Sequence, residues 1–200
     1  MHARTLELLD YLDRQRQLLR LAVLAVPASL RDRSLAAERW STAGVLEHLG
    51  LVETRLAARL SERIAAARAE GVGPELDTSP VLPSLHLAHL LDRTTRISAA
   101  AVVQPTGLPA EAAWAALEQG GEAIRDALRA GDGLALGSVF MPSPRFGPMP
   151  LYYFFAFVGA HEARHAVQIR EIADTFVSGQ DIHHEHERPH GQPESRDDRQ

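Results

Sequence analysis

The sequence predicts an all-α protein: a four-helix bundle of up-down-down-up type, with a long crossover between helices two and three and a disordered C-terminal tail. Three observations predict it. Four long stretches repeat apolar residues at the helical period of 3.6. Prolines and most glycines fall between those stretches. No segment alternates convincingly as a half-buried strand does. Four amphipathic helices joined by one long connection suit a bundle.

The first helix is read in RTLELLDYLDRQRQLLRLAVLAV. Leu6, Leu9, Leu12, Leu19 and Val23 share a face, and Pro27 ends it. A polar link, SLRDRSLAAERW, follows. The second helix, STAGVLEHLGLVETRLAARLSERIAAARAEG, opens on Ser41 as N-cap and closes at Gly71. Val45, Leu49, Val52, Leu56 and Ile64 mark its buried stripe, with His48 on or beside it.

Residues 72–108 make the crossover. VGPELDTSPVLP reads as loop and SLHLAHLLDR as a short helix. ISAAAVVQPTGLP reads as extended chain broken by Pro105, Gly107 and Pro109. The third long helix is AEAAWAALEQGGEAIRDALRAG, with Pro109 near its first turn and Gly131 past its end. Gly120 and Gly121 weaken its middle by ~1 kcal/mol each relative to Ala, and permit a close helix crossing. The Pro/Gly-rich MPSPRFGPMP leads into the fourth helix, from about Leu151 to Phe176. Beyond Gly179 the chain is too polar to order itself. The expected division is a bundle over 1–178 and a His-rich polar tail over 179–200.

Two hundred residues can bury a core without staples. The absence of cysteine removes disulfides, thiolate metal sites and a cysteine nucleophile. The N-terminus shows no apolar signal core, and the most apolar stretches, LRLAVLAVPASL and LYYFFAFVGA, are too short to span a bilayer. The expectation is a cytoplasmic protein with no membrane partner. Net charge is −5 and every basic residue is arginine. No basic stripe alternates with aromatics, so no nucleic-acid partner is expected.

The fourth helix contains FVGAHEARHAVQIREIA, in which His161, Glu162 and His165 spell H-E-x-x-H. Residues four apart lie on one helix face, ~6 Å along the axis, so both imidazoles can reach one metal ion. Val158, His161, His165, Ile169, Ile172 and Phe176 share a face, which turns the pair into the bundle. A lone buried histidine is more often a core residue bonded to a carbonyl; the pair makes a metal an equal reading, and a third histidine favours it. Of the ten histidines, His2 is terminal, His86 and His89 lie in an irregular stretch, and His183, His184, His186 and His190 lie in the tail. His48 alone lies on the apolar face of another long helix. Three neutral imidazoles leave a coordination position for water or substrate and suit Zn, Ni or Fe.

Two segments, RWSTAGVLEHLGLVE and FGPMPLYYFFAFVGAHEARHAVQIREI, resemble the DinB-like family. These are metal-binding four-helix bundles whose members include bacillithiol transferases and mycothiol-dependent isomerases. The first segment resembles the family's W-S-x-x-x-v-l-x-H-L stretch. The second resembles its f-G-x-l…H-x-x-R-H-x-x-Q-I stretch. RISAAAVVQPTGLPAEAAWAALEQGGEAIRDAL resembles the arm with a P-t-g turn before helix three. The resemblance covers about residues 5–177. It implies that the metal histidines are His48, His161 and His165, around a cavity open to small molecules. Two departures stand out. Gly44 occupies a position where relatives often carry an acidic residue that could complete a capping box with Ser41. Ser143 precedes Pro144 where relatives often have histidine, so a contact supplied there would be missing.

Glu162 is the candidate general base if the motif works as in a zincin. A zincin also needs a downstream third ligand and a substrate-binding edge strand, and neither is evident. A second-sphere or solvent-facing charge is the reading preferred for Glu162. Arg164 and Gln168, spaced i, i+4, are expected to bond to each other or to helix ends. YYFFAF reads as an apolar first turn, from which Tyr152 or Tyr153 can place a hydroxyl in the cavity. HHEHERPH reads as a solvated tail able to chelate metal weakly.

The leading expectation is a divalent-metal-dependent enzyme of small molecules, a hydrolase or a transferase using a low-molecular-weight thiol as cosubstrate. The alternatives are a non-catalytic, stress-associated protein that binds a metal or ligand, and, remotely, an HExxH protease. The family and the leucine and alanine surplus of helix one lead to the expectation of a homodimer.

Overall fold

The structure is a computed structural model; it describes residues 1–92, 99–143 and 147–186, leaving aside the side chains of His89 and of residues 179–186. It is mostly helical. Four long helices are found among the described residues: α1 (Ala3–Ala25), α2 (Thr42–Ala69), α4 (Ala110–Ala130) and α5 (Leu151–His186). A single turn, α3 (Ala88–Leu91), lies in the crossover. Each long helix forms where the apolar period predicts it.

The local stop and start signals hold. The Ser41 hydroxyl accepts from Gly44 N–H at 3.1 Å, capping α2. Gly71 follows α2 with φ +77°, a conformation that costs glycine least. At the head of α4, Pro109 has no hydrogen to give, and the Ala110 N–H donates to the Asp32 carboxylate at 2.7 Å. Gly44 does more than leave a capping box incomplete. A Cβ there would meet Trp40 at 3.3 Å and Pro105 at 3.5 Å, so glycine lets both close over the start of α2.

The stripes sit slightly differently from the expected ones. On α1, Thr5, Leu8, Leu12, Leu19, Ala22 and Val23 are buried while Leu6 is exposed. On α2, Glu53, Leu56, Leu60 and Ile64 continue the buried face, and Val52 is only partly covered. The face that turns inward is chosen by the partner helix. α2 packs chiefly on α4, and α1 on α5. The expected tight crossing occurs on α4: a Cβ on Gly120 would meet the Glu53 side chain at 3.1 Å and the Gly50 carbonyl oxygen at 3.3 Å.

Gly50 returns the contact from α2: a Cβ there would stand 3.1 Å from the Leu117 backbone nitrogen and 3.3 Å from its Cα. Backbone atoms cannot swing aside as a flexible side chain can. Gly50→Val is therefore expected to cost about 1–3 kcal/mol by overpacking, read as a lower urea midpoint at unchanged slope. An unchanged midpoint would show that the two helices slide apart freely.

The absence of strands is corrected. β1 (Phe140–Ser143) and β2 (Gly147–Pro150) form an antiparallel hairpin within the segment read as a proline-rich lead. Pro142 faces Pro148, and neither can donate to the ladder. Arginines of α2 take up the spare acceptors: Arg59 donates to the Pro142 carbonyl at 2.8 Å and Arg63 to the Phe140 carbonyl at 3.1 Å. Side chains from another element replace the strand alternation that the sequence lacks. Ser143 ends β1 opposite Gly147.

The segment at Ala101–Val103, expected to be extended, closes one 3-10 turn. The α5 backbone continues to His186, past Phe176 and into the stretch expected to be disordered. Extending an existing helix needs no new nucleus. The remainder of that stretch, 187–200, including His190, lies outside the described residues, as do the side chains of His183, His184 and His186.

Candidate metal centre

α5 presents His161 and His165 one turn apart, and α2 brings His48 to them. The His161 and His165 Nε2 atoms are 3.1 Å apart, and those of His48 and His161 are 3.4 Å apart. One ligand atom from each of the three residues falls within 4.8 Å of the others. His48 and His165 are buried and His161 partly so. The ring of His161 stacks on Phe157 at 5.2 Å, and that of His48 lies 4.9 Å from Trp40.

The outward nitrogens decide which lone pairs face inward. His48 Nδ1–H donates to the Val103 carbonyl at 2.8 Å. His165 Nδ1–H donates to Gln168 Oε1, also at 2.8 Å. With the hydrogen on Nδ1, each Nε2 offers a lone pair to the centre. A hydrogen on His161 Nε2 can serve only one of its two close neighbours, whereas a cation serves all three nitrogens. Three nitrogens held tetrahedrally at ~2.0–2.1 Å from one ion lie about 3.3 Å apart, which the two measured separations bracket. The residues present therefore fit a divalent metal. Among the described residues the group contains three histidines and no carboxylate.

A family model described as the DinB superfamily matches residues 11–169, a span that contains all three histidines. The chain belongs to the DinB superfamily. No curated protein and no solved structure matches it.

Two of the three imidazoles of this DinB protein, His48 and His161, are kept neutral. Burial lowers the His48 pKa, against a smaller upward pull from the Val103 carbonyl. Burial also drives His161 well below the ordinary histidine value, helped by repulsion from His165, His48 and Arg164. Neutral rings are what a metal requires.

Val103 belongs to the crossover, and the crossover is fastened by the residue beside His48. Glu47, 3% exposed, accepts from Thr106 N–H at 2.8 Å, the Thr106 hydroxyl at 2.6 Å, Gly107 N–H at 3.0 Å and Leu108 N–H at 2.9 Å. Adjacent side chains on α2 thus grip both ends of the 103–108 segment. Burial alone would raise the Glu47 pKa, but its four donors hold it below the usual carboxylate range. The sign follows: the stabilisation is present above the unfolded value of 4.5 and is lost as pH falls through the lower folded value. Glu47→Gln is expected to cost about 1–3 kcal/mol near neutrality. The gap between the two proteins should close below pH 4.5 in urea titrations; a gap independent of pH would rule the clamp out.

Glu162 is not solvent-facing. It is 1% exposed and accepts from Arg16 of α1, through Nη2 at 2.8 Å and Nε at 3.2 Å. The same guanidinium donates to Glu53 of α2 at 2.7 Å and to the Leu117 carbonyl of α4 at 3.1 Å. Burial and the Glu162 charge push the Glu53 carboxyl well up, against the pull of Arg16. Glu53 Oε1 and Glu162 Oε2 are buried and find no hydrogen-bond partner among the described residues.

Arg164 and Gln168 do not bond to each other. Arg164 donates to the carbonyls of Leu90, at 3.2 Å, and Asp92, at the end of α3, while Gln168 serves His165. The Tyr152 hydroxyl donates to Glu75 at 2.9 Å. Arg16, Glu47 and Glu53 escape a search for ligands. Arg16 and Glu53 nonetheless carry a signal: each is a charge set into an apolar stripe, between Leu12 and Leu19 and between Leu49 and Leu56.

Proposed function

We propose that this DinB protein is a divalent-metal-dependent enzyme of small molecules, a hydrolase or a low-molecular-weight-thiol transferase, with Zn, Ni or Fe held by His48, His161 and His165. The convergence of three Nε2 atoms, with the outward nitrogens of His48 and His165 occupied by oxygens, carries this reading. When bound, such a metal supplies Lewis acidity that brings a water or a thiol toward ionisation near neutral pH. The chain's own residues do the rest. The Val103 carbonyl and Gln168 fix the tautomers of two ligands. Trp40 and Phe157 pack against the imidazoles and limit water beside them. Three protein donors leave room for a substrate atom. With no cysteine in the chain, a reacting thiol comes from a cosubstrate.

The up-down-down-up arrangement belongs to the same reading. It is supported by residue numbers that rise together along α2 and α4: Gly50 meets Leu117, Glu53 meets Gly120 and Ile64 meets Gly131.

The test uses protein purified without a chelating column. Elemental analysis gives the metal, and a panel of low-molecular-weight thiols with electrophiles, run beside ester and amide substrates, gives the reaction class. Activity that disappears on chelation and returns with the metal is the expected result. One equivalent of metal with no turnover on either panel would leave a non-catalytic binding protein.

A further inference from the structure

We propose that Arg16 is a positioning residue for the metal centre, its guanidinium fixing the spacing of α2 and α5 through Glu53 and Glu162. The inference rests on the metal reading above and adds to it three residues that touch no metal.

The packing of the helices creates the need. α2 lies chiefly on α4, and α5 chiefly on α1, so the bundle consists of two well-packed pairs. The histidines come from opposite pairs, His48 from α2 and His161 and His165 from α5. Apolar contact across such a seam is tolerant of small slips, because methyl groups pack at many offsets. A site whose nitrogens stand 3.1 and 3.4 Å apart is not. Something directional must set the seam.

Arg16 is placed to do so. It reaches from α1 to a carboxylate on α2, a backbone carbonyl on α4 and a carboxylate on α5, touching every long helix. Its two acidic partners stand close to the ligands in sequence. Glu162 directly follows His161, and Glu53 follows His48 by five residues, ~7.5 Å along the helix. Both carboxylates are 1% exposed and the arginine side chain 13%. In so dry a setting the planar fork of a guanidinium has few acceptable geometries.

Stability alone gives no reason for the trio. Apolar residues of similar volume usually do as well or better at a buried ion cluster. A fixed inter-helix distance is what apolar residues do not provide.

The experiment separates the two roles. Arg16→Met/Glu53→Met/Glu162→Met removes every charge together and leaves no buried ion unpaired. Metal-free wild type and variant are first compared by thermal melting. Co²⁺ is then titrated into both, following the visible absorption of the bound ion, and Zn²⁺ affinity is measured by competition. The variant is expected to melt cooperatively, to bind about 10–100-fold more weakly, and to give an altered Co²⁺ spectrum. Arg16→Lys should recover only part of the affinity. A triple variant with wild-type affinity and spectrum would overturn the positioning role while leaving the metal site standing. Wild-type protein that takes up no Co²⁺ would overturn both. If the triple variant does not melt cooperatively, Glu53→Leu decides by the same two readouts. It cuts only the tie to α2 and leaves Arg16 paired with Glu162; weaker binding supports the proposal and unchanged binding overturns it.

Discussion

Arg16→Met alone is expected to cost about 3–5 kcal/mol of folding stability, a fall in Tm of roughly 6–20 °C for a chain of this size. The loss does not come from the hydrogen bonds themselves. It comes from what remains: Glu53 and Glu162, each 1% exposed, with no cation between them. Uncompensated buried charge costs far more than the Coulombic gain of the pair it once belonged to. Protonation offers partial relief. Arg16 is the group that pulls the Glu53 pKa down, while burial and Glu162 push it up. With Arg16 gone, Glu53 takes a proton more readily, so the cost should shrink as pH falls from 8 toward 5. The all-methionine triple variant should recover most of the lost stability. Equal Tm values for wild type and Arg16→Met at pH 8 would show that water reaches the network and that it is not a dry cluster.

His161→Ala is expected to abolish stoichiometric metal binding and weaken residual affinity by more than about a hundredfold, beyond the usual cost of losing a residue outside the coordination sphere. His161 is the hinge of the group, since its Nε2 approaches the Nε2 atoms of both other imidazoles, at 3.4 and 3.1 Å. Removing it leaves His48 and His165 on separate helices with no nitrogen between them. Folding of the metal-free protein should change little, because the imidazole is already neutral there and its loss frees no charge. Competition titration with a chromophoric chelator measures the affinity, and elemental analysis the stoichiometry. A full equivalent of metal retained by His161→Ala would remove the centre from this site. Gln168→Leu provides a graded comparison. It strips the acceptor from His165 Nδ1 and should weaken binding by about 10–100-fold.

Each long helix was legible in the sequence because the signals that make a helix are local: period, caps and breakers. The fit was poorest where a side chain has two possible environments. The stripe read on α1 ran through Leu6, Leu9, Leu12, Leu19 and Val23; the last three are buried, but Leu8 takes the inward place read for Leu6 and Leu9, with Arg16 at the step between Leu12 and Leu19. A charge in that slot breaks an apolar count and makes the neighbouring face look equally good. Glu53 does the same on α2. The hairpin was hidden because its prolines suppress the strand alternation and its carbonyls are satisfied by Arg59 and Arg63, some eighty residues earlier.

The sequence by itself determined the helices, and it determined that His161 and His165 share a face, since four residues of α-helix leave two side chains no other relation. It also marked His48 as the companion on another helix, through the W-S-x-x-x-v-l-x-H-L resemblance. Only the tertiary structure decided that His48 stands within ligand distance, that Val103 and Gln168 orient the rings, and that Glu47 and Arg16 brace the chain around them. Those contacts join residues between about 40 and 150 positions apart, Gln168 excepted. At such separations no dihedral preference links the partners; which groups meet is set by the energy of packing whole helices together.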